Sequence, residues 1–179
     1  MLGGDNVNSQ LRMLINNLTE EIIKHYEIQI PIQNIDEVVE KMNGRIEVNQ
    51  DTDNISDGSI KKLSDGFVIC VSPYQSAERR KFTIAHELGH LFLHMGYMTN
   101  EALWKQQESA TYYRNGDSSM EYQANEFAAA LLMPKDEYKK IMDYNTCGNM
   151  VQTSKIADYF GVSVSAASNR GKFLGYLQW

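Results

Sequence analysis

Apolar residues recur at steps of three and four residues along two stretches near the N-terminus, and this spacing places them on one face of an α-helix. The first stretch predicts a helix over about residues 9–25. The second predicts a helix that begins after Asn34, whose side chain can cap it, and that stops at Gly44. The short alternating segment 45–48 follows as a candidate strand.

Two further helices are predicted in the middle of the chain. The first follows Ser76 as its N-cap and stops at Gly96. Its predicted apolar face comprises Phe82, Ala85, Gly89, Phe92 and Leu93. The second begins near Glu121 and stops at Pro134. Its predicted apolar face comprises Ala124, Phe127, Ala128, Leu131 and Leu132. Polar residues on or beside these two faces are therefore candidates for chemistry.

The apolar, β-branched segment 66–71 predicts a strand just before the first of these helices. An edge strand there would bind an extended peptide through main-chain hydrogen bonds, whereas a central strand would only contribute to the core. The pattern leaves both interpretations open. Residues 50–59 instead predict a solvated loop, because the glycine and the final glutamate of a calcium loop are misplaced around Asp51, Asp53 and Asp57.

Residues 98–118 are polar and lack apolar periodicity, which predicts a long loop. Loops of this length in a compact domain often act as lids over active sites. Tyr97, Tyr112 and Tyr113 are candidates to donate a hydrogen bond to the oxyanion of peptide hydrolysis. The alternative for these tyrosines, and for Trp104, is that they are ordinary surface aromatic residues.

The C-terminal pattern predicts a helix begun by Pro134, a turn over 145–149, and then a helix, a tight turn and a second helix over 151–174. This last arrangement resembles a helix-turn-helix, with Ser163 as N-cap of a would-be recognition helix. That helix carries Ser165, Ser168, Asn169 and Arg170. Direct binding to DNA is disfavoured, since Lys155, Arg170 and Lys172 stand against Asp158 and supply too few phosphate contacts. Packing onto the catalytic core is favoured.

Charge and composition narrow the function further. The chain has 179 residues, a net charge of −6 and a pI near 5.2, so it has no general electrostatic attraction for nucleic acid or an anionic membrane. We expect a cytoplasmic protein, because no apolar run is long enough to span a membrane and the N-terminus lacks the pattern of a signal peptide. Cys70 and Cys147 match no metal or redox spacing, and Cys70 is expected in the core.

The strongest chemical signal is the motif His86-Glu87-Leu88-Gly89-His90 on the third predicted helix. A step of four residues places His86 and His90 on the same face of a helix, with Cβ atoms roughly 5–6 Å apart. Two imidazole nitrogens at that separation can both reach one zinc ion. Glu87 is rotated by about 100° and is placed to act as a general base on the attacking water. The motif predicts a hydrolytic zinc site.

A zinc hydrolase needs a third protein ligand. His94 is four residues beyond His90, but three histidines along one straight helix span too far to close on one ion, so we expect a supporting or packing role. Glu121 is the favoured ligand, and Asn125, on the same line of its helix, is expected to accept a hydrogen bond from a ligand histidine. A capping box from Ser118 to Glu121 is the alternative. Asp117 and Glu126 fit less well.

These segments together resemble the ImmA/IrrE family of zinc metallopeptidases. The similarity covers roughly residues 30–140 and is carried by segments 66–69, 80–94 and 121–134. It implies that His86, His90 and Glu121 hold zinc and that Glu87 is the general base. It also implies an α+β fold, with a small mixed sheet packed on the two site-bearing helices, between N-terminal helices and a C-terminal helical tail. Related peptidases usually have aspartate at the position of Asn125, which would raise the basicity of its histidine more.

The resemblance implies an endopeptidase that cuts a specific protein partner, a helix-turn-helix repressor of a mobile element or stress response. Because the peptidase motifs begin soon after the N-terminus, we expect that repressor to be a separate polypeptide. The alternative is a catalytically idle relative that acts by binding protein or DNA, as a toxin or antitoxin component. We expect one domain over 1–179, with an N-terminal helix to residue 30, a catalytic core over 31–134 and a helical subdomain over 135–179. The sequence does not determine the oligomeric state.

Overall fold

Helices and short strands alternate along the chain. The computed structural model describes residues 4–48, 58–107, 111–112 and 118–178, and the side chains of all of these except 4–8 and 111–112. The elements in chain order are α1 (Gly4–His25), α2 (Ile35–Lys41), β1 (Gly44–Val48), β2 (Gly58–Leu63), β3 (Gly66–Val71), α3 (Ala77–Leu93), α4 (Glu101–Gln106), β4 (Thr111–Tyr112), α5 (Ser118–Leu132), α6 (Lys135–Tyr144), β5 (Thr146–Cys147), β6 (Met150–Val151), α7 (Thr153–Phe160) and α8 (Val164–Phe173). This architecture confirms the predicted α+β class.

The chain divides into two compact units. The central unit is Asn34–Ala128, and the terminal unit combines Met1–Gln33 with Ala129–Trp179. Helix α5 begins in the central unit and ends in the terminal unit. The single-domain organisation expected from the sequence, with its boundaries at residues 30 and 134, stays a prediction.

The central unit contains a mixed sheet in the order β1-β3-β2-β4. Strand β3 pairs with β1 in parallel and with β2 antiparallel, so both of its edges are occupied. The suggestion that segment 66–71 is an edge strand for a peptide is therefore wrong, and the core interpretation is correct. The apolar character follows from this position, because Phe67 and Ile69 are fully buried, as is Ile60, which lies opposite Ile69 on β2.

Helix α3 begins after Ser76, whose hydroxyl accepts a hydrogen bond from the backbone N–H of Arg79, as predicted. Every residue from Thr83 to Phe92 is buried, whereas Phe82 and Leu93 are only half-buried. The single apolar stripe predicted for this helix is therefore too narrow. The physical reason is that α3 is covered on several sides, by strands β2 and β3 and by helices α2 and α5.

Several other elements differ from the predictions. Asn34 caps α2 as expected, but that helix ends at Lys41, the left-handed residue is Asn43 and Gly44 begins β1. Strand β2 was not predicted. The segment 98–118 is not simply a loop, because it contains α4 and β4. None of the residues of α4 is buried, which explains why the segment has no apolar periodicity.

Some residues that the sequence analysis names lie wholly or partly outside the described residues. The acidic positions Asp51, Asp53 and Asp57 lie outside the described residues, and so do Tyr113 and Asp117. The backbone of Tyr112 is described but its side chain is not. The calcium-loop question and the roles proposed for these two tyrosines therefore stay predictions.

In the terminal unit, α7 and α8 form the predicted helix, turn and helix, with Ser163 capping α8 through a hydrogen bond from Ala166 N–H. The preceding residues Met150 and Val151 are in strand β6, so the start predicted for α7 is too early. Arg170 is 1% exposed and donates hydrogen bonds to the carbonyl of Met133 and to Asn16. The disfavoured alternative, in which Arg170 lies on a DNA-reading surface, is therefore wrong for this residue.

Within the described part of the chain, none of the helices combines the length and apolar character that a membrane span requires. Both cysteines are free thiols, with Cys147 exposed and Cys70 half-buried on β3. Burial raises the pKa of the Cys70 thiol above its ordinary value. Cys70 is therefore only partly covered, and the expectation that it belongs to the core is not confirmed.

Candidate metal centre

Helices α3 and α5 bring three potential metal ligands together. His86 and His90 are one turn apart on α3 and are 3% and 2% exposed, and Glu121 comes from the first turn of α5. The Nε2 atoms of the two histidines are 3.0 Å apart. Oε2 of Glu121 is 3.3 Å from His86 Nε2, and Oε1 is 3.3 Å from His90 Nε2. One ligand atom from each residue thus lies within 4.8 Å of the others.

The spacing of these atoms fits a tetrahedral ion. Zinc bonds of about 2.0–2.1 Å place neighbouring ligand atoms of a tetrahedral site about 3.3–3.4 Å apart. The two nitrogen-to-oxygen distances are each 3.3 Å, to different oxygens of Glu121, and match that edge, while the nitrogen-to-nitrogen distance of 3.0 Å is slightly shorter. Among the described residues, no group donates a hydrogen bond to the buried Oε1 atom of Glu121. A carboxylate oxygen held between two imidazoles without such a donor is a suitable ligand for a divalent cation.

His86 is oriented by the residue that the sequence indicates. Its Nδ1 atom lies 2.9 Å from Oδ1 of Asn125, one turn beyond Glu121 on α5. Since an amide oxygen only accepts hydrogen bonds, Nδ1 of His86 carries the proton and Nε2 keeps its lone pair. That lone pair is directed toward Glu121. The geometry therefore prepares Nε2 of His86 to bind a cation.

His94 lies beside the cluster rather than in it. Its Nδ1 atom is 2.9 Å from Nδ1 of His90, and its Nε2 atom is 3.2 Å from Oε1 of Gln123. Burial lowers the pKa of His94 below its ordinary value, although the hydrogen bond with Gln123 and the charge of Glu121 oppose this effect. A neutral imidazole is therefore favoured at neutral pH. These positions agree with a supporting role and place both ring nitrogens outside the three-atom cluster.

A close approach of the two helices sets the distance between their ligands. A Cβ atom at Gly89 would lie 2.9 Å from Cα of Ala124 and 3.2 Å from Cβ of Phe127. Only glycine allows α5 to come this near to α3 without displacement. Because Ala124 is one turn from Glu121, this contact also fixes how closely the carboxylate approaches His86 and His90.

Glu87 lies next to the first ligand along the chain and is 2% exposed. Its carboxylate lies beside Gly58 at the start of β2, where a Cβ atom would be 3.1 Å from Oε1 of Glu87. The Thr83 side chain crowds the same position. Gly58 thus leaves room for the carboxylate under the sheet. The sequence pattern does not predict this contact, because it does not predict strand β2.

The remaining residues considered from the sequence do not join the metal ligands or Glu87. Tyr97 donates its single hydroxyl proton to the carbonyl of Met42 at 2.6 Å, so its suggested role as oxyanion donor is not supported. Trp104 lies under the ammonium group of Lys62. Glu126 is 4% exposed and is not part of the cluster of His86, His90 and Glu121. Gln123 was not singled out from the sequence, and its only signal is that it lies two residues after Glu121 on the same helix.

Comparisons with known proteins identify the family of this chain. The family described as the IrrE N-terminal-like domain, a peptidase family, matches residues 33–172. A search of curated proteins finds no match. Among solved structures, the chain is similar to a Mycobacterium tuberculosis transcriptional regulator, with a TM-score of 0.58 and 14% identity over 90% of this chain. The match spans 50% of that regulator, and at this identity it shows a shared fold alone. Because the family match covers most of its length, the chain belongs to the IrrE N-terminal-like peptidase family.

Proposed function

We propose that this protein is a zinc-dependent endopeptidase that hydrolyses a peptide bond in a specific protein partner. The observation that carries the proposal is the convergence of His86, His90 and Glu121 on one point, with Glu87 adjacent on the same buried helix. Two imidazoles and one carboxylate are a donor set that suits catalytic zinc and leaves one position open. Membership in a peptidase family supports the same chemistry.

Each residue has a defined task in this reaction. When bound, zinc supplies Lewis-acid chemistry, lowering the pKa of water to about 7 and polarising a carbonyl group. Glu87 accepts the proton of the water that attacks the carbonyl carbon. It then delivers that proton to the amide nitrogen as the C–N bond breaks, so that the products are a carboxylic acid and an amine. The buried position of Glu87 keeps bulk water from competing for the proton.

The other residues hold the ligands. Asn125 keeps the proton of His86 on Nδ1, which leaves Nε2 available for the metal. The neutral amide places no negative charge on that imidazole, so His86 is a less basic ligand than one paired with a carboxylate. Gly89 and Ala124 bring α5 close enough for Glu121 to complete the set.

We propose a helix-turn-helix repressor as the substrate. This part of the proposal rests on the resemblance to the ImmA/IrrE family. The acidic chain, with a net charge of −6, favours a protein over nucleic acid as its direct partner. The burial of Arg170 removes one of the few cations that the C-terminal helices offer to DNA.

The test is to incubate the purified protein with the product of the adjacent gene, with and without a metal chelator, and to follow cleavage by mass spectrometry. We expect Glu87→Gln to retain zinc and to lose cleavage by roughly 10²–10⁴-fold, the usual contribution of a general base. Glu78→Gln is the matched control, since Glu78 is an exposed residue on the same helix, and it should cleave normally.

A different outcome would favour the second candidate function. If the zinc-loaded protein binds the partner stoichiometrically but leaves it intact, and Glu87→Gln binds equally well, the protein is a catalytically idle regulator that acts by binding. Cleavage that persists in Glu87→Gln or in the presence of chelator would contradict the proposed mechanism.

A further inference from the structure

Gln123 and His94 lie beside the metal centre but have no task in the proposed reaction. That reaction requires a lone pair on the metal-facing nitrogen of His90, and the residues described so far do not explain what keeps a proton off that nitrogen. His86 has Asn125 to fix its tautomer, whereas the outer nitrogen of His90 faces another histidine, His94. We infer that Gln123 and His94 form a relay that fixes the tautomer of His90 and so keeps its Nε2 lone pair available for the metal. The inference rests on the proposed function, because the relay is useful only if His90 binds a metal. The contacts that form the relay are present in the structure whether or not a metal binds.

The first step of the relay is set by Gln123. Its Oε1 atom lies 3.2 Å from Nε2 of His94, and an amide oxygen only accepts hydrogen bonds. Nε2 of His94 must therefore donate. In a neutral imidazole the other nitrogen then has a lone pair and no proton. The Nδ1 atom of His94 is consequently an acceptor.

The second step transfers this constraint to His90. The two Nδ1 atoms are 2.9 Å apart, and one of them has to supply the proton of the hydrogen bond. Because Nδ1 of His94 accepts, Nδ1 of His90 donates. Nε2 of His90 is then unprotonated, at the position 3.3 Å from Glu121 and 3.0 Å from Nε2 of His86. The relay thus ends on a metal-facing lone pair.

Without the acceptor at Gln123, the hydrogen bond between the histidines could reverse. His94 would then donate from Nδ1 and His90 would carry its proton on Nε2, where it blocks the metal position. Helix α5 supplies both Glu121 and Gln123, two residues apart. The same helix therefore provides a metal ligand and the group that keeps an opposing ligand in the correct tautomer. Gln123 and His94 are positioning residues in this scheme.

Tautomers can be read directly in the metal-free protein by ¹⁵N NMR of histidine side chains at about pH 8. The chain has four histidines, and the exposed His25 on α1 serves as an internal reference. We expect Nδ1 of His86 and Nδ1 of His90 to carry a proton and His94 to be in the Nε2–H form. Finding Nδ1 of His90 without a proton would overturn the relay.

Substitutions at Gln123 test the direction of the relay. Gln123→Met has a similar length but lacks the acceptor oxygen, and it should shift His90 toward the Nε2–H form and weaken zinc binding about 10–100-fold, the usual cost of losing an outer partner of a ligand. Gln123→Glu keeps an acceptor and should retain the wild-type tautomers and affinity within a few fold. Gln106→Met, on an exposed position of α4, is the control and should change neither.

The two readouts separate this inference from the proposed function. Predicted tautomers in a protein that binds no zinc would refute the metal centre and leave the relay intact. Wild-type tautomers and wild-type zinc affinity in Gln123→Met would refute the relay and leave the metal centre intact.

Discussion

Replacing Gly89 by alanine tests whether the approach of α3 to α5 sets the geometry of the metal ligands. The added Cβ atom would lie 2.9 Å from Cα and 3.0 Å from the carbonyl oxygen of Ala124. Carbon atoms in good contact are about 3.5–4.0 Å apart, so the helices must separate by roughly half an ångström at this point. Backbone atoms cannot rotate away from the new methyl group as a flexible side chain can.

Two opposing energies decide the effect on stability. Alanine is favoured over glycine inside a helix by about 1 kcal/mol, whereas overpacking a core costs about 1–3 kcal/mol. We therefore expect a net loss of roughly 0–2 kcal/mol. We also expect a loss of zinc affinity, because metal sites tolerate ligand displacements of only about 0.2 Å, less than the separation of the helices. A loss of at least about 1.4 kcal/mol in binding, or tenfold in affinity, is expected.

Zinc affinity is measured by competition with a chromogenic chelator, and stability by urea unfolding in excess chelator, so that bound metal does not contribute. Gly171→Ala is the matched control. A Cβ atom there would lie 2.5 Å from the hydroxyl of Tyr138, in the terminal unit, so this variant should lose stability and keep its zinc affinity. Wild-type zinc affinity in Gly89→Ala would refute the reasoning.

Three further predictions concern the terminal unit. Burial raises the pKa of Tyr138 to about 12, so its contribution to stability is complete below about pH 10 and is lost as the pH rises toward 12, at up to about 1.4 kcal/mol per pH unit. Tyr138→Phe should remove that part of the pH dependence in urea unfolding, and an unchanged slope would contradict the assignment. Arg170→Met deprives Met133 and Asn16 of their hydrogen bonds and should cost roughly 1.5–3 kcal/mol for each bond lost, as measured by calorimetry. Because Arg170 is buried, wild-type protein should show no tight, salt-sensitive shift of duplex DNA, and such a shift would restore the DNA-binding interpretation.

The sequence predicts the parts of the site whose determinants are close together in the chain. The spacing of His86 and His90, the cap at Ser76 and the line from Glu121 to Asn125 are all set by the geometry of single helices. Their arrangement in the structure agrees with those local rules. The apolar face of α5 is also confirmed, since Ala124 and Phe127 are fully buried.

What the sequence does not predict depends on partners that are distant in the chain. Strand β2 includes two lysines, and its assignment comes from pairing with β3 and β4 rather than from its own pattern. Gly58 lies on β2 and Gln123 on α5, and each acquires its role by contacting α3 or its C-cap residue, which is distant in the chain. Arg170 lies on a helix that resembles a recognition helix, and only its contacts with Met133 and Asn16 show that it is a core residue.

The metal content of the purified protein, after reconstitution with excess zinc and removal of unbound metal, tests the central claim most directly. Elemental analysis should find one zinc ion per chain in the wild type, and X-ray absorption should show two imidazole nitrogens and carboxylate oxygen at about 2.0–2.2 Å. Glu121→Gln, which keeps the size of the side chain and removes its charge, should retain far less. A wild-type protein that retains no stoichiometric metal, or a Glu121→Gln variant that binds zinc as tightly as the wild type, would contradict the account.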